Sequence, residues 1–385
     1  MPARIVVDLL GFTGGRGGTE TYARELLARL PDLLPEIEWV ALANRRGAEQ
    51  VRSFFPGQVC VLSWVGADRV TWALGAVFAV APAVRKAGAN GVWCPANFGP
   101  LVRGPRRVVT IHDAIYHAPG STWSARLIGA ATSWLMTRSA RTADRVITVS
   151  QSAARSIAQH MHIDLTEIAV IPNGSGEPQA PADPWLLLDS LDLDRGRPIV
   201  LTAGNRLAHK NLPGLLRALR EIPSAERPLL VVTGGGTDDP LLREIEALEL
   251  SADVVLPGWV TPGQLEALYA VAHLYVCPSL QEGFGLPVVD ALRRGVPVVA
   301  NDIAVLREVG GTFARYADAT NPQSLARAMT AEMKMPVGQG DRSARATWAV
   351  QFSWDTAAAS LASHLRRTLV TEPDTARRIT GTESS

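Results

Sequence analysis

Short runs of branched apolar residues alternate, from residue 4 to residue 300, with segments whose apolar side chains recur at helical spacing. That alternation admits little besides parallel sheets covered by helices. A parallel strand pair needs a crossover of a dozen or more residues, and a sheet so covered is buried on both faces. Strand-like runs occupy 4–10, 39–42, 59–62, 91–94, 108–111 and 145–149, and apolar spacing predicts a helix over 21–30. The rhythm breaks between Pro172 and Pro184, where Asn173, Gly174, Ser175, Gly176, Pro178 and Pro181 crowd together as in a linker. It then restarts, with strand-like runs at 198–203, 229–233, 253–256, 274–276 and 297–300 and helix-like stretches at 212–219 and 262–271. The expected architecture is α/β, with two doubly wound Rossmann-like domains, 1–172 and 198–345, joined by a linker over 173–197. Residues 346–367 are expected to form a helical segment returning to the first domain, and the polar residues 368–385 a disordered tail. A chain of 385 residues suits two domains of this kind. Ligands of such sheets bind at the carboxyl ends of the strands, here in the cleft the domains face.

Composition excludes several classes. Cys60, Cys94 and Cys277 are odd in number and far apart, which argues against a disulfide framework and for a reducing, cytoplasmic setting. The first residues lack the layout of a signal peptide. The longest uncharged apolar stretch, 70–84, contains Pro82 and falls short of the ~20 residues that span a bilayer. No C-x-x-C or H-E-x-x-H spacing occurs, so no metal ligands are expected. The net charge is only +1, yet seven arginines (103, 106, 107, 126, 138, 141, 145) lie between Arg103 and Arg145 with Asp113 and Asp144 alone opposing them. This region reads either as solvated helix faces or as a surface for phosphate or an anionic membrane leaflet. Arg106 and Arg107 are the charges whose reversal is then expected to weaken membrane binding. A near-neutral chain without aromatic-interleaved basic motifs is not expected to bind nucleic acid.

Four motifs carry chemistry. Between the first strand and the first helix, Gly11, Gly14, Gly15, Gly17 and Gly18 let backbone amides approach a ligand, next to a helix N-terminus that favours anions. The spacing is not the dinucleotide fingerprint, because Glu20 stands where the last glycine would be. After the strand at 198–203, Arg206 and Lys210 are two cations able to neutralise a diphosphate. Lysine occurs elsewhere only at Lys86 and Lys334, so its use here suggests a need for a compact point charge. After the strand at 274–276 comes Glu282-Gly283-Phe284-Gly285-Leu286-Pro287, with Asp290 one helical turn further. Its glycines free amides at a helix N-terminus, and its carboxylates can bind sugar hydroxyls. His112-Asp113 ends the strand at 108–111, where it can bind a polar ligand or move a proton. Asn173-Gly174 reads most simply as a turn.

In this order, the glycine loop, I-H-D, N-G, N-R-x-x-H-K-N, P-S-x-x-E-G-F-G-L-P and G-V-P-V-V-A resemble the retaining glycosyltransferases of family 4. The resemblance runs over about residues 4 to 366 and includes Phe352-Ser353-Trp354. It implies the two-domain GT-B fold, a nucleotide-diphosphate sugar as donor substrate, no cofactor and no metal. It also implies roles. Arg206 and Lys210 hold the diphosphate, Glu282 contacts the donor sugar, and the amides of Phe284, Gly285 and Leu286 approach sugar and phosphate. The loop of Gly14, Gly15, Gly17 and Gly18 closes over the phosphates, His112 lies near the transferred sugar, and the first domain binds acceptor. One position departs from the pattern: Asp290 stands where the family has a ribose-binding glutamate, one methylene longer.

The implied activity is transfer of a hexose, with GDP-mannose favoured as donor, to an acceptor hydroxyl with retention of configuration. Front-face attack assisted by a phosphate oxygen would need no carboxylate nucleophile. The expected acceptor is a polyprenyl-linked or other glycan in bacterial polysaccharide or glycolipid assembly, met at the inner face of the membrane. Transfer to a small-molecule acceptor, a nucleotide-sugar epimerase and a non-catalytic donor-binding partner subunit are the alternatives.

Overall fold

The computed structural model describes residues 2–14, 17–66, 69–101, 104–114, 123–236, 238–336 and 338–371. The first seven strands are β1 (Ala3–Leu9), β2 (Ile37–Asn44), β3 (Gln58–Leu62), β4 (Gly91–Cys94), β5 (Arg106–Thr110), β6 (Arg145–Thr148) and β7 (Ile168–Val170). They form one sheet in the order β3-β2-β1-β4-β5-β6-β7. The other six are β8 (Ile199–Ala203), β9 (Leu229–Thr233), β10 (Val254–Gly258), β11 (Leu274–Cys277), β12 (Val298–Asn301) and β13 (Arg315–Ala317), in the order β10-β9-β8-β11-β12-β13. Every pairing is parallel, with β1 on β2 from Ala3↔Ile37 to Leu9↔Ala43 and β8 on β9 from Ile199↔Leu229 to Ala203↔Thr233. Both sheets reverse their direction of winding beside their first strand, between β1 and β4 and between β8 and β11. Crevices open at such points, because the two following crossovers leave on opposite faces.

Two strands escape the sequence pattern: β7 and β13 are three-residue edge strands, too short for any periodicity to show. The first helix starts earlier than its apolar spacing predicts. It runs Gly18–Leu27 and so takes three residues from the glycine loop, with Gly17 as its N-cap. The segment read as a linker is partly ordered structure. Pro184–Leu188 forms a helix capped by Asp183, whose carboxylate accepts from Trp185 N and Leu186 N, and Leu188 is buried.

The chain crosses between the domains twice, and the crossings are bonded to each other. Ser175 N donates to Phe352 O at 3.0 Å, and Ser175 and Ser353 pair as a parallel bridge. A Cβ on Gly174 would sit 2.1 Å from Trp354 N. Asn173-Gly174 is therefore a close backbone approach, not the turn it resembles, and only glycine leaves room for it. Helix Trp354–Leu365 then lies on the first domain, held by the Arg29–Asp355 ion pair at 2.6 Å and by Arg366–Glu36 at 2.7 Å. Residues Arg366–Val370 continue as one π-helical turn with Leu369 buried. The start of the expected tail is thus packed structure, because Leu369 has apolar surface to bury; residues 372–385 lie outside the described ones. One apolar interior runs through both domains, where Tyr22 meets Trp354 edge-on and Phe284 meets Phe352.

Candidate active site

Half of the site is built at the carboxyl ends of β8 and β11. After β8 the chain forms a tight 3₁₀ turn, Ala208–Lys210, and Asn211 opens helix Leu212–Glu221 in the left-handed conformation (φ +51°). The turn aims Lys210 at the loop after β11, where its Nζ lies 2.6 Å from Glu282 Oε1. The two side chains are only 18% and 11% exposed. Burial disfavours the ammonium, but attraction to Glu282 outweighs it and raises the Lys210 pKa, with Asp113 adding to the pull. Next to this pair, Gly285 caps helix Leu286–Arg293 at φ +99°, a conformation costly for a residue with a Cβ. The unpaired amides of this helix N-terminus favour an anion. Pro287 sits in the first turn, where its missing N–H breaks no helical bond.

The other half follows β4 and β5. Asn97, with φ +66°, accepts the His112 N–H at 2.7 Å through Oδ1. His112 Nε2 lies 2.7 Å from the Pro95 carbonyl oxygen, so Nε2 carries the proton and Nδ1 keeps its lone pair. Tyr22 stands edge-on to the ring at 4.8 Å, and its hydroxyl is 3.2 Å from Thr110 Oγ1. Burial pushes the His112 pKa down to about 4, with the Pro95 contact opposing, so the imidazole is neutral at physiological pH.

The halves meet. A Cβ on Gly283 would lie 2.3 Å from the His112 carbonyl oxygen, so this glycine lets the β11 loop press against the end of β5. Ser150 Oγ donates to Gly283 O at 2.7 Å, and the Glu308 carboxylate accepts from Gln151 N at 2.7 Å and Ser152 N at 3.0 Å. From the glycine loop, a Cβ on Gly18 would be 3.7 Å from Leu286 Cδ1. Contacts at Gly283 and Gly18 thus bring the end of β5 and the start of the first helix against the loop that carries Glu282, Gly285 and Leu286, although the sequence scatters these residues over about 270 positions.

Other expected site residues stand differently. Gly14 (φ +75°) faces Gln50 of its own domain, Gly17 has open space around it, and Gly15 lies outside the described residues. The Phe284 ring is buried against Phe352 at 5.6 Å. Arg206 is bound to Asp239 at 2.7 Å. Asp290 accepts from Ser175 Oγ at 2.6 Å and lies 3.6 Å from Arg294; burial raises its pKa, and Arg294 opposes. The shorter acid is thus engaged by the domain junction. Asn97, Ser150, Ser175, Asp239 and Glu308 were not legible as site residues. Only Asn97, placed directly after a strand in Pro-Ala-Asn-Phe-Gly, offers a local signal.

The arginine-rich region divides: Arg126, Arg138 and Arg141 are exposed, Arg106 and Arg145 are half-buried, and Arg107 is buried. Arg107 is 1% exposed and donates to Pro100 O at 2.6 Å, while Arg106 donates to Thr371 O at 2.5 Å. Arg138 and Arg141 also donate to backbone carbonyls, those of Leu101 and Met161, and Arg103 lies outside the described residues. Several of these guanidinium groups thus donate to chain carbonyls, where arginine's several donors can meet more than one acceptor. Among the described residues no helix is long and apolar enough to cross a membrane.

Two Rossmann-like domains that close a buried lysine, a carboxylate and a helix N-terminus into one cleft define an α/β protein built for an anionic ligand. Two family models match the chain: Glycosyltransferase Family 4 over residues 16–175 and Glycosyl transferases group 1 over residues 185–347. The chain belongs to this glycosyltransferase family. It is 31% identical over 183 residues to O-antigen chain mannosyltransferase B of Escherichia coli, covering 46% of this chain and 48% of that protein. To O-antigen chain mannosyltransferase RfbU of Salmonella typhimurium it is 27% identical over 227 residues, covering 58% and 60%. The matches thus span about half to three-fifths of these relatives' length. Among solved structures, Anabaena HepE in complex with UDP-glucose superposes with a TM-score of 0.74 at 19% identity over 94% of this chain and 99% of that one. WaaG, a glycosyltransferase involved in lipopolysaccharide biosynthesis, gives 0.72 at 12% identity over 96% and 100%. At these identities the likeness is one of fold, the GT-B arrangement.

Proposed function

We propose that this chain is a retaining, metal-independent glycosyltransferase that moves a hexose from a nucleotide-diphosphate sugar to an acceptor hydroxyl. Mannose from GDP-mannose is the favoured donor, in keeping with the names of the relatives. The observation that carries the reading is the Lys210–Glu282 pair beside the N-terminus of helix Leu286–Arg293, in a loop that packs through Gly283 on the backbone of a neutral His112. In the reaction, negative charge develops on the departing diphosphate. A fixed cation and oriented amides in a partly desolvated cleft stabilise that charge more than they stabilise the bound donor, which is what accelerates transfer. Lys210 and the amides of Phe284, Gly285 and Leu286 hold the diphosphate, and the glycine loop closes over it. Glu282 accepts from sugar hydroxyls, and His112 offers its Nδ1 lone pair. The leaving phosphate oxygen takes the acceptor proton on the face it departs from, so retention needs no protein base. Domain closure limits hydrolysis of the donor.

The acceptor side belongs to the first domain, and a polyprenyl-linked glycan at the inner face of the membrane is the acceptor proposed. Helix Trp123–Thr142 contains no acidic residue and exposes Leu127, Ile128 and Trp134. Such a face suits an anionic interface better than the buried Arg107. Liposome flotation unchanged between the wild type and Leu127→Glu/Ile128→Glu would remove the membrane from this reading.

The deciding experiment is a thermal-shift screen against GDP, UDP, ADP and dTDP, with and without magnesium. A ligand at 100 times its Kd adds about 2.7 kcal/mol. One nucleotide standing out without magnesium, with the shift lost in Lys210→Ala, is the expected result. No shift with any of the four, repeated with the intact sugar nucleotides, would overturn the donor site.

A further inference from the structure

We propose that the outer edge of β3 is a self-association surface, at which a second copy of this chain adds its own β3 antiparallel and joins the two seven-stranded sheets into one. The inference goes beyond the glycosyltransferase reading and does not depend on it. Among the described residues β3 pairs with β2 alone, in unbroken parallel register from Val40↔Gln58 to Asn44↔Leu62. Its other side therefore presents the N–H and C=O groups of alternate residues without a strand partner. All five of its residues are exposed or half-buried, whereas β2 and β4 are buried almost throughout. Edges of this kind are ordinarily blunted, and the other three edges of the two sheets are. β7 and β13 are three residues long, and β13 opens with Arg315. β10 ends in Pro257-Gly258, and its register on β9 shifts between Val255 and Gly258. β3 has no such device, since Gln58-Val59-Cys60-Val61-Leu62 is regular and contains neither a charge nor a proline.

The charge pattern points to a second copy as the partner. From Ser53 to Ala67 the sequence carries no charged residue, and the first charges on either side are Arg52 and Asp68. A two-fold axis at Cys60, the middle of the strand, sets each residue of this run opposite another uncharged one. It also directs the basic end of the run in one copy toward the acidic end in the other. A strand with a charge near its centre would instead meet its like. The apolar surface beside the edge suits the same partner. Val61 and Trp64 are exposed, and Leu74 and Phe78 are exposed four residues apart on helix Arg69–Phe78, which follows β3. A lipid surface would cover these side chains but leave the N–H and C=O groups of the strand unpaired, whereas a second β3 meets both needs.

The test follows the full-length protein by sedimentation velocity over a range of concentrations. The expected result is a reversible monomer–dimer equilibrium that Val61→Lys weakens by about tenfold or more, because two like charges then share one face of the paired strands. Val61→Thr keeps a β-branched residue at the edge and should dimerise as the wild type does. Cys60 supplies a second readout that needs no charged variant. Cys94 and Cys277 are buried, so a short bismaleimide should cross-link the dimer through Cys60, and Cys60→Ser should abolish the product. A register two residues away from the one centred on Cys60 separates the thiols by about 7 Å more, which the reagent still spans. Cross-linking decides the matter if Val61→Lys does not fold. A wild type that stays monomeric at every concentration would overturn the proposal. A dimer that Val61→Lys leaves intact, or that does not cross-link through Cys60, is held by another surface and overturns it as well. A monomer whose flotation with anionic liposomes is lowered by Val61→Lys would show that this edge faces lipid, and the proposal fails in that case too.

Discussion

Ser150 reaches across the cleft to Gly283: its Oγ donates to the glycine carbonyl at 2.7 Å while accepting the N–H of Ala153 at 2.9 Å. One hydroxyl therefore caps helix Gln151–Met161 and ties the first domain to the donor loop of the second. Glu308 adds its carboxylate to the same helix N-terminus, through Gln151 N and Ser152 N. Helix caps contribute about 1 kcal/mol, and a carboxylate at a helix N-terminus a similar amount. Ser150→Ala and Glu308→Ala are each expected to lower stability by about 1 kcal/mol and to open the unliganded protein. Small-angle scattering that shows an unchanged radius of gyration in the double variant would contradict the second expectation.

Gly283 tests the closure sterically. Its missing Cβ would lie 2.3 Å from the His112 carbonyl oxygen, a contact that real structures relieve by moving something. Gly283→Ala should force the loop away from β5 and reduce transfer by at least about tenfold, since small misplacements of reacting groups are costly. Nucleotide affinity should fall less, because Lys210 and helix Leu286–Arg293 lie on the donor side of the displacement. Equal losses in both would show that the contact serves donor binding alone.

Glu282→Gln removes the counter-charge of a largely buried lysine. An uncompensated buried charge costs up to several kcal/mol, and here partial exposure brings the expected loss to about 1–2 kcal/mol. A nucleoside diphosphate should restore more stability to Glu282→Gln than it adds to the wild type, because its anion replaces the missing carboxylate. A smaller ligand shift in the variant than in the wild type would argue that the phosphates do not meet Lys210.

Two buried groups give opposite pH dependences. Burial pushes the Asp8 pKa up to about 7, against a hydrogen bond from Leu10 N. Between about pH 4 and pH 7 folded Asp8 keeps a proton that the unfolded chain has lost, so its contribution to stability falls as pH rises. His112, with its pKa down at about 4, refuses a proton that the unfolded chain takes below about pH 6.5, so its contribution falls as pH drops. Asp8→Asn should therefore gain stability over the wild type at pH 8 relative to pH 4, and His112→Gln should flatten the decline between pH 6.5 and pH 4. Urea melts of the two variants across this range check both slopes.

Much of the site was readable because its parts stand at strand ends. Lys210, Glu282 and His112 each follow a run of apolar residues by only a few positions, and glycines mark the loops. Ser175, Asp239 and Glu308 carry no such mark: a serine in a junction and acids in loops or helices look like any solvated residue. Their partners lie 115 residues away for Ser175 and Asp290, 33 for Arg206 and Asp239, and 157 for Gln151 and Glu308. Charge density is silent for the same reason on which arginines are buried, since that depends on the packing around each, as Arg107 shows.

The sequence by itself determined the two parallel sheets, the positions of the loops at their carboxyl ends and the chemical types those loops carry. These follow from local periodicity and from the restricted backbone choices of glycine and proline, which act over a few residues. Only the tertiary structure decided which partner each cation and acid takes. Lys210 pairs with Glu282, Arg206 with Asp239 and Asp290 with Ser175. That sorting arises because a buried polar group must find a partner wherever the fold provides one, and distance along the chain does not enter that requirement.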